Sequence, residues 1–141
     1  MKVQFAVLFS GLAIMAAAPA FAHHSFTAEY DASKPVTLSG TVTKVEWMNP
    51  HARFYIDVKD DAGKVTNWEL ELGSPNALMR LGWTRNSLKI GDQVNVEGSL
   101  AKDGSKLANA RKVTLADGRK IFAGSAADEA KADTKTDSPA K

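Results

Sequence analysis

The chain has 141 residues with 18 Lys and Arg against 16 Asp and Glu, a formal net charge of +2, and no cysteine. That balance excludes a general polyanion binder, and the missing cysteines exclude thiol chemistry and any disulfide staple. The length suits one domain held by its own core.

The first 22 residues read as a secretory signal peptide. Lys2 supplies the positive n-region, VQFAVLFSGLAIMAAA an uncharged apolar run, and Ala20-Phe21-Ala22 small residues at the positions signal peptidase accepts. The run is short and Ala-rich, and no basic stop-transfer cluster follows it, so no stable membrane span is expected after cleavage. A cut after Ala20 is the rival site. Cleavage after Ala22 leaves 119 of the 141 residues, beginning at His23, with a net charge of about +1. Export without a disulfide fits the periplasm best.

Residues 23–35 read as a polar lead-in ending at Lys34-Pro35, and 36–124 as the ordered domain. Residues 125–141 (SAADEAKADTKTDSPAK) have no aromatic and no β-branched aliphatic residue, the composition of a disordered tail. Within the domain, VTLSGTVTKVEW is a strand with Leu38, Gly40 and Val42 on one face. The apolar parity then flips to Val45 and Trp47, which predicts a bulge near Thr43-Lys44. ARFYIDVKD alternates with Ala52, Phe54, Ile56 and Val58 inward. Across the Asp60-Asp61-Ala62-Gly63 turn it pairs with VTNWELEL, where Trp68, Leu70 and Leu72 point inward. SPNALMRLG carries a cap at Ser74, Pro75 at the first helical position and Gly82 as terminator. DQVNVEGSL and ANARKVTL are two more strands, joined by Lys102-Asp103-Gly104-Ser105, and a last short strand follows around 119–122.

Three strands, a short helix and two strands are the order of an OB-fold. The expected fold is all-β with small α content: a five-stranded OB-fold-like Greek-key barrel with one helix between strands three and four. An open antiparallel sheet with one helix packed on it is the alternative.

The histidines are His23, His24 and His51. A terminal His23 offers its α-amine and its ring nitrogen together, a chelate suited to Cu(II), which prefers nitrogen donors in a square plane. One further imidazole completes three nitrogens, an arrangement that resembles the histidine brace of secreted copper proteins. His51, at the end of the Trp47-Met48-Asn49-Pro50 loop, is the natural third donor. By parity it shares the outward face of strand two with Arg53, Tyr55 and Asp57, and Asn67, Glu69 and Glu71 on strand three point the same way. Met48, Asn49, Arg53, Tyr55 and Glu69 are therefore candidates for a ligand face, the usual binding surface of an OB barrel. His24 offers a competing local site with the amine and the intervening amide. The plainer reading stays open: two histidines as a soluble spacer, and His51 as a loop-bonding residue.

Other chemistries find less support. Ser25 beside His24 has no evident orienting partner. Glu69 and Glu71 read as a solvated strand edge, not an acid–base pair, and Glu29, Asp31 and Glu46 as solvated charges. No enzyme is expected, and no nucleic-acid partner: only Tyr55 points outward with certainty among aromatics that could stack bases.

The segments His23-His24-Ser25-Phe26, Asn49-Pro50-His51 and GSPNALMRLGWTRNSLKIGD make the chain resemble a family of small exported bacterial proteins of unknown function. The resemblance spans about residues 23–124 and implies a secreted small β-domain without assigning an activity. Arg53 stands where relatives commonly carry an aromatic residue, so a stacking role does not carry over to it. More distantly the chain resembles exported OB-fold stress-associated proteins of Gram-negative bacteria. The expected function is ligand binding on the strand-two face, with copper as the sharpest candidate. The alternative is a non-metal interaction module that docks a periplasmic or envelope protein through the same face and the Trp47 loop; Trp47, Trp68 and Trp83 read as core or rim packing, and an outward apolar cluster of Met48, Tyr55 and Trp83 would favour this alternative.

Overall fold

A computed structural model describes residues 26–123. His23, His24, the signal-peptide segment and the C-terminal tail lie outside them. The described chain runs α1 (Phe26–Glu29), β1 (Tyr30–Glu46), β2 (Arg53–Lys59), β3 (Val65–Glu71), α2 (Pro75–Arg80), β4 (Gln93–Ala101), β5 (Leu107–Leu115) and β6 (Lys120–Phe122).

The sheet order is β3-β2-β1-β4-β5-β6, and a parallel pairing of β3 with β5 closes five of these strands into a barrel. Glu69, Leu70 and Glu71 face Leu107, Ala108 and Asn109 across that seam. This is OB-fold topology, as the element order predicts. β6 is added outside the closed ring, paired with Lys112–Thr114 of β5.

β1 is long because it serves two partners. Its residues 35–41 pair with β4 and its residues 41–46 with β2. The hand-over coincides with a register shift between Val42 and Lys44, where the apolar parity flips. At this crossing the backbones come so close that a Cβ on Gly40 would collide with the Asp57 carbonyl oxygen. Gly98 of β4 is pressed in the same way against the Asn109 carbonyl of β5. A second irregularity there leaves Arg111 unpaired with β4, so Ala108, Ala110, Val113 and Leu115 all reach the interior despite the break in alternation.

The β2–β3 hairpin forms as expected, and its register sets Phe54 opposite Leu70 and Ile56 opposite Trp68. Its turn is held by Asp60, whose Oδ1 accepts from the backbone of Ala62 (3.0 Å) and Lys64 (2.9 Å). α2 begins where Ser74 Oγ accepts the Ala77 N–H at 3.3 Å. It ends in a Schellman motif: Gly82 N–H to Met79 O, Trp83 N–H to Leu78 O, with Gly82 at φ +90°. Leu78 and Trp83 are both buried, so the helix end plugs the barrel through the hydrophobic contact that this motif favours. Phe54, Ile56, Leu70, Leu72, Val42, Val96 and Val113 fill the interior.

One boundary differs from expectation. The lead-in was placed at 23–35, yet β1 starts at Tyr30, and Tyr30 is only 1% exposed. The polar composition of Asp31–Lys34 hides this. Those residues bulge away between the Tyr30–Ala101 and Pro35–Ser99 pairings.

Candidate functional site

The outward face of β2 and β3 carries a charged network. Arg53 Nη1 donates to Glu69 Oε1 at 2.8 Å and Nη2 to Glu71 Oε2 at 3.4 Å. His51 Nδ1 lies 3.3 Å from the other oxygen of the same carboxylate, Glu71 Oε1. Tyr55 Oη donates to Glu46 Oε2 at 3.0 Å, Lys44 pairs with Glu46, and the Lys44 ammonium sits 5.0 Å from the Tyr55 ring centroid. His51, Arg53, Tyr55 and Glu69 thus share one face, as the parity predicts. Met48 is the outlier of the expected ligand face, 56% exposed in the β1–β2 loop beside the cis Asn49-Pro50 bond.

Glu71 is the departure from the sequence reading, which placed it on a solvated edge. It is 3% exposed. Burial by itself pushes its carboxyl up, but the hydrogen bond and charge of His51, with Arg53 and Tyr30, outweigh that and hold it below the usual range. The cover comes from the chain's own start. Tyr30 stands against Glu71, its hydroxyl enclosed without a partner of good hydrogen-bond geometry, and burial beside that negative charge raises its pKa strongly. Ser99 and Asn109, the cross-strand neighbours of this position on β4 and β5, are buried too. A cleft of about 280 Å³ remains between α1 and the barrel, lined by Ala28, Glu29, Arg53, Glu71, Lys102 and Leu107.

Sequence reasoning therefore found His51 and Arg53 but missed Tyr30 and the role of Glu71. A signal existed: Phe26 and Tyr30 are spaced i, i+4, the spacing at which side chains meet along a helical turn. Their rings do stack, with centroids 5.6 Å apart. Trp83 is buried in the core, as core or rim packing would have it, and Tyr55 is engaged by Glu46 and Lys44, so the outward apolar cluster with Met48 that would favour a docking module lacks two of its members. That cluster does not form.

Chemically, the arrangement fixes an imidazole. In the neutral ring, an N–H at Nδ1 that donates a hydrogen bond to Glu71 leaves the lone pair on Nε2 and sets the ring plane. This is the outer-shell carboxylate that metal-binding histidines use to orient themselves and raise their basicity. Among the described residues no group of three or more His, Asp or Glu side chains forms a metal cluster by itself.

The chain belongs to a family of unknown function, DUF6152, whose model matches residues 12–110. No curated protein matches it. Among solved structures it is similar to the mitochondrial single-stranded DNA-binding protein of S. cerevisiae (12% identity, 59% of this chain and 93% of that one, TM-score 0.47). It is also similar to the N-terminal domain of the PriB protein from Thermoanaerobacter tencongensis (19% identity, 59% and 96%, TM-score 0.40).

Proposed function

We propose that this member of a family without an assigned activity is an exported, periplasmic β-barrel protein that binds Cu(II) non-enzymatically. His23, at a terminus created by cleavage after Ala22, would contribute its amine and ring nitrogen, His51 a third nitrogen, and His24 an accessory donor. The observation that carries this reading is the buried Glu71 carboxylate on His51 Nδ1. A histidine that merely tied down its loop would have no need of a buried, Arg-bridged carboxylate, because burying a charge is costly unless it is paired.

Reach supports the same reading. Phe26 stacks on Tyr30, and Tyr30 stands against Glu71, the partner of His51. Only two residues, His24 and Ser25, lie between His23 and Phe26, a span of roughly 10 Å from one Cα to the other when extended. The exported bacterial character of the family resemblance is consistent with a released periplasmic protein.

The test is Cu(II) titration of the mature protein against a competing chelator, after intact mass has fixed the N-terminus. His51→Ala and a one-residue extension before His23 should each weaken binding at least tenfold. Loss with the extension alone would point to a local amine–His24 site. Indifference to both would remove copper and leave docking to an envelope protein, or binding of a single-stranded oligonucleotide, as the readings to test next.

A further inference from the structure

The outward face of β1, β4 and β5 holds an open groove of about 520 Å³, built without the charged network of β2 and β3. Strand pairing assembles it. Thr41 lies between Asp57 and Gln93, Asn95 between Ser39 and Thr114, and all of them line the groove. They point outward because the alternate positions, Val42, Val94, Val96 and Leu115, belong to the core. One rung further, Thr37, Glu97 and Lys112 stand in line, and there an ion pair replaces the neutral side chains. A second cleft of about 200 Å³ shares Gln93, Leu115 and Ala116 with the first and continues to Ser87 and Asp117. The two form one trough running across the strands.

The hydrogen bonds along the trough leave a regular remainder. Gln93 Nε2 donates to Thr41 Oγ1 at 2.6 Å, and Asn95 Nδ2 to Ser39 Oγ at 2.8 Å. In each pair the hydroxyl accepts, so its own O–H is left to donate, and the amide oxygen is left to accept. Accepting a bond also polarises the hydroxyl and makes it a better donor. The charges along the trough are spent internally. Asp57 Oδ1 accepts from Asn67 Nδ2 and Asp92 Oδ2 from the Lys89 N–H, both at 2.8 Å, and Asp117 pairs with Arg119.

We propose that this trough is a binding site for a neutral oligosaccharide. Adjacent sugar hydroxyls each donate and accept, which is what the two amide–hydroxyl pairs offer side by side. Leu115 and Ala116, common to both clefts, give apolar contact for the C–H face of a ring. The larger cleft falls within the range of small-ligand sites, roughly 300–1,000 Å³, and its continuation past Gln93 suits a short chain of rings. A polyanion is disfavoured: Lys59 lines the trough beside the Asp57 carboxylate, and a phosphate chain needs several cations together. No histidine lines the trough, so the proposal is independent of the copper reading.

The test is calorimetric titration of the protein with maltotriose, cellotriose and chitotriose, with amide shifts of the labelled protein mapping the site. At least one should bind saturably and shift amides within 39–41, 93–95 and 114–116. Raising salt from about 50 mM to about 200 mM should leave its affinity within about twofold, since no charge is neutralised. Asn95→Leu keeps the side-chain volume but removes the amide, and should weaken binding roughly threefold to tenfold. Gln93→Met should do the same, and serves if Asn95→Leu fails to fold in urea unfolding. Glu97→Gln, one rung outside the trough, should stay within about twofold. The proposal is overturned if none of the three saccharides binds at millimolar concentration. Binding that ignores both amide substitutions overturns it as well, since the polar ladder would then serve only cross-strand pairing. A single-stranded oligonucleotide that shifts the same amides, with an affinity falling steeply with salt, would replace it if no saccharide binds.

Discussion

The barrel interior and the outer patch covered by the N-terminal strap, residues 26–34, are both sealed from water, yet they are built on opposite terms. The interior is made of aliphatic and aromatic side chains such as Phe54, Ile56, Leu70 and Val113, delivered by alternation along the strands. The outer patch buries Tyr30, Glu71, Ser99, Asn109 and Ala101, three of them polar or charged at positions that face outward from the barrel. Burial of apolar surface is favourable wherever it happens, whereas burial of polar groups must be offset by specific partners. An apolar core thus tells little about function. A polar patch closed over by a short strap is a place where stability has been given up, and functional arrangements are found in such places.

That contrast can be broken by mutation, most strongly in the interior. Phe54→Ala, at a fully buried ring, should cost about 3–5 kcal/mol in urea unfolding, from lost transfer energy and a residual cavity. A cost under 1 kcal/mol would mean that the barrel is not packed as described. Glu71→Ala should cost less, about 2 kcal/mol, because Arg53 keeps Glu69 and is partly exposed to solvent. The same variant should weaken copper binding by about 10- to 100-fold through loss of the His51 orienting contact. Unchanged copper affinity would separate the carboxylate from the site.

Asn109→Leu should move in the other direction. Both amide atoms of Asn109 are enclosed without a hydrogen-bond partner, so an apolar side chain of similar volume should raise stability by about 1 kcal/mol. A loss of that size would show that water or the strap satisfies the amide in solution. The smallest effect belongs to the uncovered part of the same face. Tyr55→Phe removes a single hydrogen bond to Glu46 at the surface and should change stability by no more than about 0.5 kcal/mol. Thermal unfolding of this pair, followed by circular dichroism, would measure how sharply the covered patch differs from its open neighbour.

Much of this was legible in the chain itself. The β2–β3 hairpin and its inward faces, the flip of parity after Val42, the Ser74 cap and the Gly82 terminator are local features, set by side chains within a few residues of one another. They hold because alternation and capping act over one or two turns of chain. His51, Arg53, Tyr55 and Glu69 were placed on one face for the same reason. Asp31–Lys34 misled, since exposed polar residues look the same in a loose lead-in and in a bulge between two anchored ends.

The sequence by itself determined which strands form, where the barrel's helix starts and stops, and which side of β2 faces out. Tertiary structure alone decided that part of that outward side is buried. Parity assigns Glu71 to a face, but whether that face meets water depends on another segment laid across it. Tyr30 lies 41 positions earlier in the chain and comes to rest against Glu71 only because β1 pairs with β4 and β3 closes on β5. Contacts of that separation are set by closure of the barrel, and no local pattern encodes them.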